Sequence, residues 1–356
     1  MSTVHWLSPD EHGEWDDFVS QHPLGLVYHT SSWQRVLESA FEHIRGRFLV
    51  LRDVDGRIQA GVPLYSVKSW LLRNRTVSIP FATMCDPLVS TKEEFSLLWR
   101  AIERASKEHR SCRIEVRTRH IATDCMPPQV TATARYKHHY LPLAPNADVL
   151  LRSFHRTCVR RRIEKAARTG VTIEERQDEE SLRMLHACVV ATRRRRSLPP
   201  MPLAFFQAIY HWLKPDHAAL YLAVHAGEAV AGLLALKFKG LWTDEYSGNV
   251  DNAPAGANQL LCWEVIQRAK SSGAAFFSFG RTSPDNASLI DYKRRWATIE
   301  EDLVDFVSAP KSTSTHGQHS PKAARRTLYT AAKQVVRCAP TAVQKVFGDF
   351  CYRHLG

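Results

Sequence analysis

The sequence predicts an α/β chain built from two similar units in tandem, each a mixed sheet flanked by helices. Three observations carry that expectation. A hairpin signal occurs twice: Asp53-Val54-Asp55-Gly56 joins the strand-like runs Arg47–Leu51 and Ile58–Val67, and Ala226-Gly227-Glu228 joins Ala219–Val224 and Ala229–Phe238. Each turn glycine is followed at the same offset by another, Gly61 after Gly56 and Gly232 after Gly227, and each half then runs through a helix and a strand to an arginine, Arg117 and Arg281. At 356 residues with 44% hydrophobic content, the chain also exceeds what one core usually holds and has the material for two. The boundaries drawn are 1–145 and 146–308 for the two units, 309–321 for a Ser/Thr/His/Gly linker and 322–356 for a basic tail.

In chain order, Ser31 or Ser32 offers a cap to a helix near Trp33, where Trp33, Val36, Leu37 and Phe41 recur at helical spacing as a core stripe. A short strand follows near Thr76–Ile79. Lys92–Lys107 repeats Phe95, Leu98, Ile102 and Ala105 on one helix face and leads into the strand Arg113–Arg117. Tyr136–Leu143 reads as a strand with Lys137, His138 and His139 at the surface; adjacent histidines face opposite ways on a strand, so they do not share a metal. Asp148–Thr169 reads as one Arg-rich helix ended by Gly170, and Glu179–Arg196 as a second that closes on four arginines. After a helix at Leu203–Leu213 the β period returns. On its third strand, Leu241–Ser247, alternation places Asp244 and Tyr246 on one face and Glu245 on the other. Asn249–Gly256 is a loop and Ala257–Lys270 a helix.

The balance of 48 Lys and Arg against 36 Asp and Glu, a net +12, points to an anionic partner: cofactor phosphates, tRNA or an anionic membrane. Eight cysteines form no Cys-x-x-Cys pair and no histidine completes a zinc spacing, so the thiols read as reduced and no metal is expected. The N-terminus lacks the segments of a secretory signal, and no run approaches the ~20 apolar residues of a membrane span, so a cytoplasmic protein is expected. Neither Gly-x-Ser-x-Gly nor a Cys–His signature is present, which favours direct attack without a covalent intermediate.

The stretch Gly273–Trp296, GAAFFSFGRTSPDNASLIDYKRRW, organises the second unit. Its apolar run is a buried strand closed by Gly280; Arg281, Tyr292, Lys293 and Trp296 follow where ligands bind in α/β sheets, outside the strand's carboxyl end. A Phe-x-Phe-Gly-Arg strand end followed by Tyr-Lys-x-x-Trp resembles the C-terminal signature of the Fem-type peptidyltransferases and their relatives in the GNAT acyltransferase superfamily. The chain is similar in particular to the FemAB-related proteins of exopolysaccharide and PEP-CTERM gene clusters. The likeness extends from the Tyr28–Trp33 region to the tail and implies two GNAT-like domains. It also implies transfer of an acyl or aminoacyl group to an amine, from acyl-CoA or aminoacyl-tRNA. Lys293 matches the lysine of the family's Phe-Lys-x-x-Phe-type segment, with Tyr292 and Trp296 in place of its phenylalanines, and a role at the donor is implied. Arg281 is the candidate for fixing a donor phosphate or carboxylate, and Asp244 and Tyr246 are candidates for proton transfer. The loop Ala253–Asn258 stands where CoA-dependent GNAT enzymes carry Gln/Arg-x-x-Gly-x-Gly/Ala. Gly256, Ala257 and Asn258 are its candidate anion-binding residues, and its single glycine departs from that pattern.

Two functional readings follow. One is an N-acyl or aminoacyl transferase acting by direct attack on an amino sugar or a lipid-linked envelope precursor. The other is a noncatalytic partner-binding protein in an exopolysaccharide assembly complex. Lys293 and Arg281 are expected to serve the donor without being needed for the fold. In the tail, Leu328, Ala331, Ala332, Val335 and Val336 alternate with basic residues up to Pro340, and Phe347, Phe350 and Tyr352 extend the apolar surface. Such a segment packs on the parent domain or lies on an anionic membrane at the inner membrane face.

Overall fold

The computed structural model describes residues 3–120, 130–308 and 341–354; the expected linker and the segment up to Pro340 lie outside them. β1 (Thr3–Trp6), α1 (His12–Gln21) and α2 (Ser31–Ala40) precede the hairpin of β2 (Ile44–Arg52) and β3 (Ile58–Val67), then β4 (Arg75–Val77), α3 (Lys92–Glu108) and β5 (Ile114–Thr118). β6 (Thr131–Pro142), α4 (Ala147–Ser153), α5 (Arg161–Arg168), β7 (Thr172–Arg176), α6 (Glu179–Arg195) and α7 (Leu203–Leu213) follow. The second hairpin is β8 (Ala218–His225) and β9 (Glu228–Phe238), continued by β10 (Leu241–Asn249), α8 (Ala257–Ser271), β11 (Phe276–Thr282), α9 (Ala287–Arg294) and β12 (Ile299–Ser308), with α10 (Thr341–His354) at the end.

The repeat is visible in the pairing. β2–β3 and β3–β4 are antiparallel and β4–β5 parallel, across α3; β8–β9 and β9–β10 are antiparallel and β10–β11 parallel, across α8. The two sheets do not face each other across a groove, as two separate domains would. They join edge to edge in one twelve-stranded sheet of order β1-β2-β3-β4-β5-β12-β6-β11-β10-β9-β8-β7. The joint is an exchange: β6, which follows β5 in the chain, pairs with β11, while β12, which follows β11, pairs with β5, and the two exchanged strands pair with each other.

β12 escapes a reading by hydropathy because Glu300, Glu301, Asp302 and Asp305 interrupt it. Their charges are met by Arg294 at the end of α9 and by Arg119, Lys137 and Arg281. The expected single helix at 148–169 is broken at Phe154, whose extended backbone (ψ 151°) lets its ring enter the core beside Trp263 and Trp296 at 5.5 and 5.1 Å.

The glycines that betrayed the repeat serve close approach. A Cβ on Gly61 would stand 2.5 Å from the Trp15 ring of α1, and one on Gly232 2.7 Å from Leu185 of α6. Gly248, the register partner of Gly232, sits under the same helix, where a Cβ would be 2.5 Å from the Cys188 carbonyl oxygen. Backbone cannot yield there as a side-chain tip can. Gly248→Ala is therefore expected to lower unfolding free energy by about 1–3 kcal/mol, read as a lower urea midpoint with an unchanged slope.

One sheet face is covered by α2, α6, α7 and α10, with Trp33, Phe205 and Phe206 fully buried; the other is covered over the second unit by α5 and α8, around Trp263, Phe277 and Trp296. α10 is docked: Tyr352 is buried beside Phe81, with ring centroids 5.4 Å apart, and Arg75 donates to the His354 carbonyl at 3.0 Å. Among the described residues no helix is long and apolar enough to cross a membrane.

Candidate active site

β10 and β11 run parallel and paired only from Leu241–Thr243 against Phe276–Ser278. Beyond that point a bulge at Asp244–Tyr246 turns β10 along β9, and Gly280, at φ +66°, marks an irregularity after which Arg281 pairs with His138 of β6. The strands part there, and chemistry collects on both sides of the opening.

On the α8 side stands Lys293, at the buried face of α9. Its Nζ donates to the Gly280 carbonyl at 2.9 Å and reaches the Arg281 carbonyl at 3.4 Å. Burial pulls the ammonium down to about 8, opposed by the charge of Asp244. Burial pushes Asp244 up to about 6, while a hydrogen bond from Ser247 Oγ (3.0 Å) and the charge of Lys293 work the other way. Tyr292 lies in the same electrostatic neighbourhood.

On the opposite side stands Glu245, which accepts a hydrogen bond from the hydroxyl of Tyr28. Burial raises this carboxyl to about 7, with the hydrogen bonds and Arg281 opposing the rise. Tyr246 lies on this side too, its ring 5.1 Å from that of Phe206. Arg281 stacks on Tyr136 at 4.4 Å and reaches Asp305 at 3.7 Å, and its burial weakens the charged form. A cavity of about 250 Å³ lies toward the other end of the strands, lined by apolar side chains such as Leu24, Met84 and Phe276 together with Asp86, Arg119 and Lys239.

The structure corrects several expectations. Simple alternation would have kept Asp244 and Tyr246 together; the bulge instead leaves Asp244 with Lys293 and brings Tyr246 to the side of Glu245 and Tyr28. Glu245, not singled out in the sequence, becomes the carboxylate with a near-neutral pKa. Nothing local to it announces this, since Tyr28 is 217 residues away. Trp296 is fully buried behind the site, 5.7 Å from Phe279, and touches no opening. Lys293, expected to serve the donor without being needed for the fold, is 5% exposed and hydrogen-bonded to backbone. Gly256, at φ +101°, carries the turn around Arg162: a Cβ there would meet the Arg162 carbonyl oxygen at 2.0 Å. Ala257 is buried beneath, and Asn258 donates to the Asn249 side chain at 3.2 Å. The expected anion-binding loop is therefore roofed by α5. Of the four arginines ending α6, Arg193 donates to Tyr352 and the Pro199 carbonyl, and Arg194 and Arg195 hold Asp251. Arg152, Arg156, Arg161, Arg162, Lys165 and Arg168 remain exposed on α4, α5 and the turn between them.

His138 and His139 are not surface residues: both are buried, His138 Nε2 lying 2.8 Å from Ser278 Oγ and His139 Nε2 3.1 Å from Glu300. Burial depresses His138 to about 3 and His29, in the Tyr28 segment, to about 4. Both titrate near 6.5 when unfolded, so the stability they carry is complete above that value and is lost as pH falls toward their folded values. Each then contributes a slope of up to about 1.4 kcal/mol per pH unit. Urea midpoints measured from pH 7 to 4 should fall steeply, and less steeply in His138→Gln.

Residues 153–294 match the acetyltransferase (GNAT) domain family. No curated protein matches the chain in sequence. Among solved structures, FemX superposes with a TM-score of 0.67 at 16% identity, covering 93% of this chain and 100% of its own. A tandem GNAT protein from the clavulanic acid biosynthesis pathway gives 0.54 at 12%, covering 88% and 100%. The C-terminal domain of an Agrobacterium fabrum protein described as a lysylphosphatidylglycerol synthetase gives 0.54 at 13%, covering 90% and 95%. Residues 153–294 thus carry a GNAT acetyltransferase domain, set within a fold that the chain shares with FemX and with the tandem GNAT protein.

Proposed function

We propose that the protein transfers an acyl or aminoacyl group to the amine of an amino sugar or lipid-linked envelope precursor, by direct attack at the opening between β10 and β11. The observation that carries this reading is the pair of oppositely suited groups flanking one opening: a carboxyl with a pKa of about 7 and an ammonium with one of about 8. Near neutrality Glu245 is poised to accept a proton and Lys293 to hold one, which is the division of labour acyl transfer needs.

Glu245 takes the proton of the attacking amine as its nitrogen bonds to the acyl carbon. Tyr28 holds the carboxylate in place during that transfer. The carbonyl oxygen gathers negative charge, and the ammonium of Lys293 stabilises it. Collapse of the intermediate breaks the bond to the donor's oxygen or sulfur, which leaves with a proton. The backbone carbonyls of Gly280 and Arg281 keep Lys293 in position throughout.

The donor we favour is aminoacyl-tRNA. The loop that would bind a CoA pyrophosphate has one glycine and is roofed at Gly256, whereas α4 and α5 expose a run of cations suited to a polyanion. The fold likeness to structures described as FemX and as a lysylphosphatidylglycerol synthetase supports this choice and the envelope setting of the acceptor. The test supplies purified protein with labelled aminoacyl-tRNA or acyl-CoA and a panel of amino sugars and aminolipids. Amide product from aminoacyl-tRNA is expected. Product from acyl-CoA alone would reassign the donor, and tight acceptor binding with no turnover from either donor would favour the noncatalytic reading.

A further inference from the structure

Five of the ten exposed large apolar side chains among the described residues fall in one place: Trp70 and Leu71, and Val343, Val346 and Phe350 of α10. The three on α10 follow i, i+3, i+7 spacing and so form one stripe. Its opposite face, Gln344, Gly348 and Tyr352, is the one docked on the body. The loop and the helix form one surface, since the Trp70 ring lies 6.5 Å from that of Phe350 and 5.0 Å from that of His354, and Ser69 Oγ stands 3.1 Å from His354 Nδ1. α10 thus docks through its inner face and leaves its outer stripe exposed beside Trp70.

The surroundings of the stripe identify its partner. Lys68, Arg73, Lys345 and Arg353 are exposed around it, with Asp349 as the acid on the helix. In sequence, the segment Lys322–Arg337 leading toward α10 carries Lys322, Arg325, Arg326, Lys333 and Arg337 and no acidic residue. A second copy of the chain would set this cationic rim against its own image, since a two-fold contact pairs a patch with itself. A surface that is apolar within and anionic at its face complements it on both counts: Trp at the interface, short apolar side chains below, Lys and Arg among the headgroups. We propose that α10 and the Trp70–Leu71 loop dock the protein on an anionic lipid bilayer.

The test uses the full-length chain and vesicles of phosphatidylcholine, with or without phosphatidylglycerol. The protein is expected to sediment with the mixed vesicles and to be released by high salt, with the Trp70 emission shifting to the blue and that shift absent in Trp70→Phe. Val346→Asp with Phe350→Asp should weaken binding by at least about tenfold while the circular dichroism is retained. Trp70→Ser, which changes no residue of α10, should weaken it in the same direction, and Val54→Asp, an exposed position on the β2–β3 turn, should not. Vesicle binding that ignores all these substitutions would overturn the proposal. So would absence of binding, or a dimer in vesicle-free solution that Val346→Asp with Phe350→Asp converts to monomer.

Discussion

Glu245→Gln is expected to lower kcat by about two to four decades, the usual worth of a positioned general base, with a much smaller change in KM. In the parent protein, kcat/KM should rise as pH passes about 7, where Glu245 loses its proton, and fall as it passes about 8, where Lys293 loses its own. The glutamine variant should lose the acidic limb and keep the alkaline one. Stability separates this from a folding defect. Because the folded-state value of Glu245 is raised, its contribution to stability is full below the ordinary carboxylate value and is lost as pH rises through about 7. A neutral amide should therefore match the parent near pH 4 and become relatively more stable as pH rises to 8. Tyr28→Phe should retain both limbs with a lower plateau. An acidic limb that survives in Glu245→Gln would remove this residue from the chemistry.

The second large effect is expected at Lys293. Loss of a charge that stabilises a developing oxyanion costs about 2–4 kcal/mol in the transition state, or roughly two to three decades in kcat. Lys293→Met keeps most of the side-chain volume and should remove the alkaline limb near pH 8. The fold will register the change as well, since the Gly280 carbonyl loses its 2.9 Å donor. The folded-state value of Lys293 is lowered, so the unfolded chain binds the extra proton between about 8 and the ordinary lysine value, and stability rises with pH across that window. Lys293→Met should lack that rise. A variant with full turnover and both limbs intact would return Lys293 to a purely structural role; an Arg281→Ala variant, losing the stack on Tyr136 and the charge that holds Glu245 down, should reduce transfer and move the acidic limb to higher pH while keeping the alkaline one.

What the sequence disclosed and what it concealed divide along physical lines. Gly61 and Gly232 were legible because close helix approach leaves one residue type at one offset, and a repeat shows it twice. The strand at Phe276–Phe279, buried from Phe277 on, and the lysine after it were legible through an apolar run and a motif. Glu245 was concealed because a bulge is one extra residue that no periodicity announces, yet it changes which side chains share a face. β12 was concealed because most of its acids are met by residues far away in sequence, Arg119 and Lys137 among them, that the strand exchange brings alongside. His138 and His139 read as exposed side chains until Ser278 and Glu300 arrive from other strands, each within reach of one ring nitrogen. Trp296 could be read as a binding platform because burial by Phe154 and Phe279 is a tertiary fact.

The exchange of β6 and β12 bears on how the chain is made. Thr118, at the end of β5, bonds to the Val304 carbonyl across 186 residues of sequence. While the chain emerges from the ribosome, the first unit has β5 in hand but not the strand that covers its edge, and β6 has neither of its partners. An open edge of this kind templates wrong pairings until it is filled. The first half therefore stays an unfinished sheet through the synthesis of the second, and its completion coincides with the closing of the site that β11 and Lys293 form. A chain cut short before residue 299 leaves both halves with raw edges, so quality control by proteases and chaperones acts on the whole molecule as a single unit.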